Sequence, residues 1–380
     1  MRILFVAGST AATVFALTPL ATAARNAGHE VFMAAPEVML PYIAGSGLPP
    51  VEITKLHTGL YMFTERDGTP VAVPKGGVEE RLFSGRGFAR MAADTLRPLL
   101  ELAKDWRPDL CVGGSLSYVA GLFARRIGVP YVRHAWDPSE PFDMDAGAVE
   151  VLAPELAELG LTGLPAPDLF IDICPPSLRA PGMPPAQMMR WIPGNQQRPL
   201  ERWMYTKDSG QQRVIVTAGS RSAAGAVRDR DMSFMHELVV SLQSLGAEII
   251  VAVPGELVEE MSAMLPGVRV GWIPMDLLAS TCDLMVHHGG GVTCMTAMNA
   301  GVPQLVFPQL SHSIAPALRM SDFGASITLL PDQLTSEACT AASKELLDNP
   351  SYRDRAGLLA KEIAAQPLPA EVVGVLEKLV

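Results

Sequence analysis

The residues best suited to chemistry form one short run, His287-His288-Gly289-Gly290-Gly291-Val292-Thr293, between the apolar stretch Leu284 to Val286 and a stretch with helical spacing. A strand that opens through glycines into a helix makes an anion site. Glycines let backbone N–H groups approach a diphosphate, the helix N-terminus adds partial positive charge, and a threonine hydroxyl supplies another hydrogen bond. His288 adds an imidazole N–H for a phosphate oxygen. The competing reading is a plain glycine turn with both histidines satisfied locally. Other phosphate signatures are missing. After the first apolar run the chain reads Gly8-Ser9-Thr10-Ala11-Ala12 rather than Gly-x-Gly-x-x-Gly, so the dinucleotide fingerprint is not met, and no Gly-Lys-Ser/Thr element for a nucleoside triphosphate occurs.

Such a run needs a strand to carry it and neighbouring strands to hold that strand. Short apolar runs alternate with longer helical patterns along the chain, the sign of parallel sheets covered on both faces, and the fold class is α/β. In the first half the expected strands are 2–7, 30–35, 109–113, 130–134 and 169–173. Residues 51–86, rich in Gly and Thr, and residues 137–167, with seven acidic side chains among apolar ones, break the rhythm and read as long loops or loose helices. Insertions of this kind at the carboxyl ends of parallel strands suit the walls of an acceptor site. Residues 190–213 are polar and rich in chain breakers, so the boundary falls there: a domain over 1–195, a linker over 196–212 and a domain over 213–380. The second series predicts strands at 213–218, 248–253, 268–271, 283–287, 304–307 and 326–329, with helices near 230–244 and 292–300. Two similar halves place the expected site in the cleft between them, one substrate to each half. The last helix is expected to pack back on the first domain.

Composition narrows the partners. A net charge of -10 and a pI near 5.2, with no Lys/Arg run longer than a pair, offer no footprint for nucleic acid or an anionic membrane. No apolar run approaches the ~20 residues that span a bilayer. The start of the chain loosely imitates a secretory leader, but Arg2 to Ala7 form the first strand of a β-α-β unit, which a removable segment would not supply. Five widely spread cysteines, mostly in apolar runs, fit reduced thiols in a cytoplasmic protein. No Cys/His spacing suggests a metal, and no cofactor is expected. The oligomeric state is open, a homodimer included.

Three blocks, Val270-Gly-Trp-Ile-Pro274, Cys282-Asp-Leu-Met-Val-His-His-Gly-Gly-Gly291 and Ala300-Gly-Val-Pro-Gln-Leu-Val-Phe-Pro308, resemble in content and spacing the sugar-donor signature of family 1 glycosyltransferases. The opening Met1-Arg-Ile-Leu-Phe-Val6 and the stretch from Pro19 to Val31 are similar to the bacterial antibiotic-tailoring members, so the likeness covers nearly the whole chain. Within that group it looks closest to the angucycline olivosyltransferases, and Asp137 points to the urdamycin C-glycosylating type. The resemblance implies a GT-B fold, two Rossmann-like doubly wound parallel-sheet domains facing across a cleft, and an inverting, metal-independent hexosyl transfer in which the nucleotide sugar is a substrate. It implies that Trp272 packs on the nucleobase while the Ile273 backbone reads its edge. His288, Gly289, Gly290, Gly291, Val292 and Thr293 would hold the diphosphate, Gly219 and Ser220 would meet it from the other side, and Ser9, Thr10 and His312 complete the donor set. For Ser220 a plain helix N-cap is the competing role.

Departures from the family pattern refine the expectation. Val292 stands where glycine is usual, which leaves an N–H contact but less backbone freedom. The family's Asp/Glu-Gln pair, which binds hexose hydroxyls, falls on His312-Ser313. A site without that pair does not favour a fully hydroxylated sugar, and the expected donor is a dTDP-linked deoxysugar such as dTDP-olivose. The family's catalytic histidine aligns with Thr13, which cannot act as a general base near neutral pH. Asp137, in Arg133-His134-Ala135-Trp136-Asp137-Pro138, is the candidate base in its place, although Asp before Pro is also a common turn starter. His134 either orients Asp137 or sits in the core. Thr13, Trp136 and Asp137 form the expected acceptor contacts, with an aromatic polyketide as acceptor. Attack through an electron-rich ring carbon would need no strong base and would give a C-glycoside. Transfer to oxygen on a similar acceptor, a non-catalytic GT-B partner protein and a GT-B sugar epimerase remain as other readings.

Overall fold

The computed structural model describes residues 1–219 and 228–380. Its first compact unit holds residues 1–174, 179–196 and 365–380, and its second holds 175–178 and 197–364. Unit 1 begins β1 (Arg2–Val6), α1 (Ala11–Asn26), β2 (Glu30–Pro36), α2 (Leu40–Gly45), β3 (Pro50–Thr54), α3 (Thr58–Phe63), α4 (Gly77–Asp105) and β4 (Leu110–Gly114). It continues with α5 (Tyr118–Ile127), β5 (Tyr131–His134), α6 (Phe142–Val151), α7 (Ala153–Glu158), β6 (Leu169–Asp172) and β7 (Gln187–Met188). The seven strands pair in parallel in the order β3-β2-β1-β4-β5-β6-β7.

Unit 2 repeats the scheme with β8 (Arg213–Thr217), α8 (Arg228–Leu242), β9 (Glu248–Ala252), α9 (Val258–Met264), β10 (Arg269–Gly271), α10 (Met275–Leu278) and β11 (Leu284–His287). Then follow α11 (Gly291–Asn299), β12 (Gln304–Val306), α12 (Ser311–Asp322), β13 (Ser326–Thr328), α13 (Ser336–Asp348) and α14 (Pro350–Ala364). Its sheet is also all parallel, in the order β10-β9-β8-β11-β12-β13. The chain ends in α15 (Pro369–Leu376), which packs beside α1 in unit 1.

The reason these runs become parallel strands is visible in their alternation. Val214 and Val216 of β8, Val251 of β9, Val286 of β11 and Leu305 of β12 face one apolar layer with Leu238, Met261 and Leu346 from the helices. Ile215, Ile250 and Met285 face a second layer with Ile273, Leu278 and Ala297. Both faces are buried, so the strands read as continuous apolar runs, and each such side chain contributes about 1.5–3 kcal/mol.

Two strands were not expected from the sequence. β3 starts at Pro50 after a second proline, which reads as a breaker, but it is an edge strand whose first residue can lack an N–H. β7 spans two residues, too short for a period. Of the two readings of the inserted stretches, loops or helices, helices occur in both: α3 and the start of α4 in 51–86, α6 and α7 in 137–167. α4 and α6 pack at backbone distance, since a Cβ on Gly85 would lie 1.8 Å from the Met144 carbonyl oxygen. Residues 197–212, expected to be a linker, belong to unit 2, where Met204 is buried in the apolar layer. Among the described residues no helix is long and apolar enough to cross a membrane, and all five cysteines are buried and outside any disulfide.

Candidate functional site

In unit 2 the central strand β11 ends at His287, and the two histidines take different roles. His287 is fully buried: its Nε2–H donates to Gln304 Oε1 at 2.9 Å, and its Nδ1 accepts the Gly289 N–H at 3.1 Å. Burial pushes its pKa down to about 4, against the Gln304 hydrogen bond, so the ring is neutral and structural. Gln304, at the start of β12, also reaches the Cys294 carbonyl at 3.4 Å and thereby ties the turn to α11. The Gly289 N–H is therefore engaged within the protein. Gly289, with φ +81, turns the chain at this point.

His288 lies between two glycines. A Cβ on Gly219 would meet its Cε1 at 2.3 Å, and a Cβ on Gly290 would meet its Nε2 at 2.8 Å. Gly219 lies two residues after β8 with φ +79, and its N–H donates to Thr217 Oγ1 at 3.0 Å. Gly290 caps α11, and Gly291, Val292 and Thr293 form its first turn, all partly exposed. The amides of such a first turn have no partner inside their helix and point out along its axis. A glycine seat thus presents one imidazole beside one helix N-terminus, the pairing an anion needs. Ser220 lies outside the described residues.

Trp272 and Ile273 follow β10. Trp272 is half-buried against the layer formed by Ile215, Ile250 and Leu278, and the Arg198 guanidinium lies over its ring. Ile273 is buried, with its side chain in the same layer. His312 sits in the first turn of α12, partly exposed. Its neighbour Ser313 is buried, and its hydroxyl donates to the Leu310 carbonyl at 2.8 Å, so that group serves the helix start.

In unit 1 the candidate residues gather at the carboxyl ends of β1, β4 and β5. Ser9 and Thr10 are partly exposed, and Thr10 opens α1. The Thr13 hydroxyl donates to the Thr10 carbonyl at 2.7 Å. Trp136 is buried against two glycines: a Cβ on Gly114 would lie 2.4 Å from its Cε3, and one on Gly8 would lie 3.1 Å from its Cζ3 and 2.9 Å from Thr13 Oγ1. Asp137 is partly exposed. Its Oδ1 accepts the Ser139 N–H at 2.9 Å, and its carboxylate lines a recess with Glu140, Asp172 and Arg179. Asp172 and Arg179 are already paired at 2.7 Å.

His134 does not orient Asp137. Strand alternation turns it into the core, where its Nδ1–H donates to the Ala135 carbonyl at 2.5 Å and burial pushes its pKa down to about 4. Of the two places the sequence left open for it, beside Asp137 or in the core, it takes the core. Arg133, not singled out from sequence, points the opposite way and makes two hydrogen bonds of 2.7 Å to Asp145 of α6 and two to the Ser115 carbonyl. That clamp fixes the loop bearing Asp137 between β5 and α6. Among the described residues no group of three or more His, Cys, Asp or Glu is arranged to hold a metal ion.

Two doubly wound parallel sheets of matching order, the second ending its central strand in a glycine run that enters a helix, define a GT-B glycosyltransferase. Residues 22–219 match the N-terminal domain of the erythromycin biosynthesis protein CIII-like family, and residues 236–379 match its C-terminal domain. The chain belongs to this family of inverting GT-B glycosyltransferases of antibiotic biosynthesis. It is 30% identical over 373 residues to an L-demethylnoviosyl transferase of Streptomyces niveus, covering 98% of this chain and 96% of that protein. It is 30% identical to a tylactone mycaminosyltransferase of Streptomyces fradiae, covering 100% of this chain and 92% of that protein. The crystal structure of a Streptomyces sp. SF2575 glycosyltransferase, complexed with thymidine diphosphate, superposes with a TM-score of 0.88 at 32% identity over 100% of this chain and 99% of that one.

Proposed function

We propose that the protein transfers a deoxysugar from a dTDP-sugar, D-olivose being the expected one, to an aromatic polyketide aglycone of the angucycline type, with inversion and with formation of a C-glycosidic bond. The observation that carries the sugar assignment is the state of residues 312 and 313. The Ser313 hydroxyl donates to the Leu310 carbonyl, and neither His312 nor Ser313 carries a carboxylate or amide. A hexose hydroxyl brought there would lose its hydration without a matched partner, which a deoxysugar avoids. The thymidine diphosphate bound to the SF2575 relative supports a dTDP donor, and the mycaminosyl transfer in the name of the tylactone relative supports a sugar of the antibiotic-tailoring kind.

In the proposed reaction the first-turn amides of α11 and His288 hold the diphosphate and stabilise the charge that develops as its bond to the anomeric carbon breaks. Trp272 carries the base. The acceptor attacks the anomeric carbon from the opposite side, which inverts it. The Thr13 hydroxyl, committed to Thr10, removes no proton. A phenol's ortho carbon is nucleophilic enough to form the C–C bond first, after which the ring carbon loses its proton to the Asp137 carboxylate and aromaticity returns. Thr13, Trp136 and Asp137 line the acceptor side, and Ser9, Thr10 and His312 complete the donor side.

The test is product analysis by mass spectrometry with a panel of dTDP-deoxysugars, UDP-glucose and polyketide aglycones, followed by acid treatment. An acid-resistant adduct from a dTDP-deoxysugar is expected. An acid-labile adduct refutes the C-linkage, and a preference for UDP-glucose refutes the sugar assignment.

A further inference from the structure

The residues that leave unit 1 lie as a strap on unit 2. Gln197 Nε2 donates to Asp276 Oδ2 at 3.2 Å, and Met204 is buried in the layer that also holds Ile273 and Ile215. Between these anchors Arg198 crosses the turn at 272–276, with its guanidinium carbon 5.2 Å from the centroid of the Trp272 ring. Arg198 is exposed, and no carboxylate pairs with it among the described residues. The indole is only half-buried against the apolar layer, so part of the ring stays open beside Arg198.

We propose that Arg198 forms the second wall of the nucleobase site, so that the base of the sugar donor enters between the indole and the guanidinium and stacks on both. This rests on the reading of Trp272 as the platform for the base. Two stacking steps of about 3.4 Å each require roughly 6.8 Å between indole and guanidinium. The guanidinium therefore has to rise by at least about 1.6 Å from its 5.2 Å position, a shift its three-methylene stem can supply while the strap stays anchored. A planar guanidinium stacks on aromatic faces, whereas an ammonium acts only as a point charge. Sequence inspection passes over Arg198 because it lies in a breaker-rich stretch that reads as linker.

Calorimetric titration with dTDP, and displacement of dTDP by thymidine, separate the alternatives on wild type, Arg198→Ala, Arg198→Lys and Trp272→Ala. Arg198→Ala is expected to weaken dTDP and thymidine by the same factor, about 2- to 30-fold, and Arg198→Lys to recover only part of the loss. Weakening of dTDP alone would assign the guanidinium to the phosphates and overturn the proposal, and tighter binding by Arg198→Ala would overturn it by making the side chain a plug. Wild-type binding by Arg198→Ala with weakened binding by Trp272→Ala would remove Arg198 and keep the platform. Wild-type binding by both variants would remove the platform as well.

Discussion

Three single-glycine substitutions around His288 separate backbone strain from pressure on the ring. Gly289 has φ +81, and the nearest atoms to a Cβ there would be those of Pro308 and Val306, at 3.3 Å or more. Gly290 has an ordinary backbone, but its Cβ would lie 2.8 Å from His288 Nε2. Gly219 combines φ +79 with a Cβ 2.3 Å from His288 Cε1. Alanine at 289 or 219 costs about 1–2 kcal/mol of stability for the left-handed conformation, and alanine at the 290 cap costs about 1 kcal/mol. All three variants should therefore melt a few degrees lower. Affinity for dTDP separates them. A hydrogen bond from His288 to a charged phosphate is worth about 1.5–3 kcal/mol, or roughly 10- to 150-fold in Kd. Gly290→Ala and Gly219→Ala push the ring out of its seat and should approach the loss shown by His288→Ala, while Gly289→Ala should bind dTDP within about threefold of wild type. Calorimetry on the three variants checks this. Equal loss of affinity at 289 and 290, or wild-type affinity in Gly290→Ala beside a weakened His288→Ala, would refute the reasoning.

Asp137→Ala should lower turnover by roughly 100-fold or more, the usual share of a general base, with unchanged dTDP affinity; steady-state rates beside calorimetry decide, and full turnover would remove Asp137 from the mechanism. Gly114→Ala drives a Cβ to 2.4 Å from Trp136 Cε3 and should cost about 1–3 kcal/mol of stability, read by urea denaturation, together with a loss of turnover at unchanged dTDP affinity. His134 and His287, with pKa values of about 4 when folded and 6.5 when unfolded, bind fewer protons in the native state than in the unfolded chain between those pH values. Their contribution is complete above about pH 6.5 and is lost as pH falls toward 4, by up to about 3 kcal/mol for each ring. Urea midpoints should fall steadily from pH 7 to 4.5, and His287→Gln should flatten the fall for unit 2. A midpoint constant over that range would contradict the buried neutral rings.

Much of the scaffold was legible in the sequence because parallel strands buried on both faces leave continuous apolar runs, as in Arg2–Val6 and Leu284–His287. Strand edges lack that signal, which is why Pro50–Thr54 and Gln187–Met188 went unseen. The glycine run marked the candidate anion site, but the division of labour between adjacent histidines did not show. It depends on Gln304, seventeen positions on, whose side chain captures His287 and leaves His288 to the glycine seat. His134 illustrates the opposite error. Three positions from Asp137 it invites pairing, yet strand alternation buries it, while Arg133 fixes the loop through Asp145. Breaker content at 190–213 reads as a linker and gives no sign that residues 197–212 lie on unit 2 and carry Arg198 over Trp272.

The central claim is that the first turn of α11 and His288 hold the diphosphate of a dTDP-sugar, and a crystal structure of the protein with dTDP tests it most directly. The predicted result is a diphosphate within hydrogen-bond distance of His288 and of at least one amide among Gly291, Val292 and Thr293, with the thymine against Trp272. A diphosphate bound elsewhere, with that first turn and His288 uncontacted, would contradict the account.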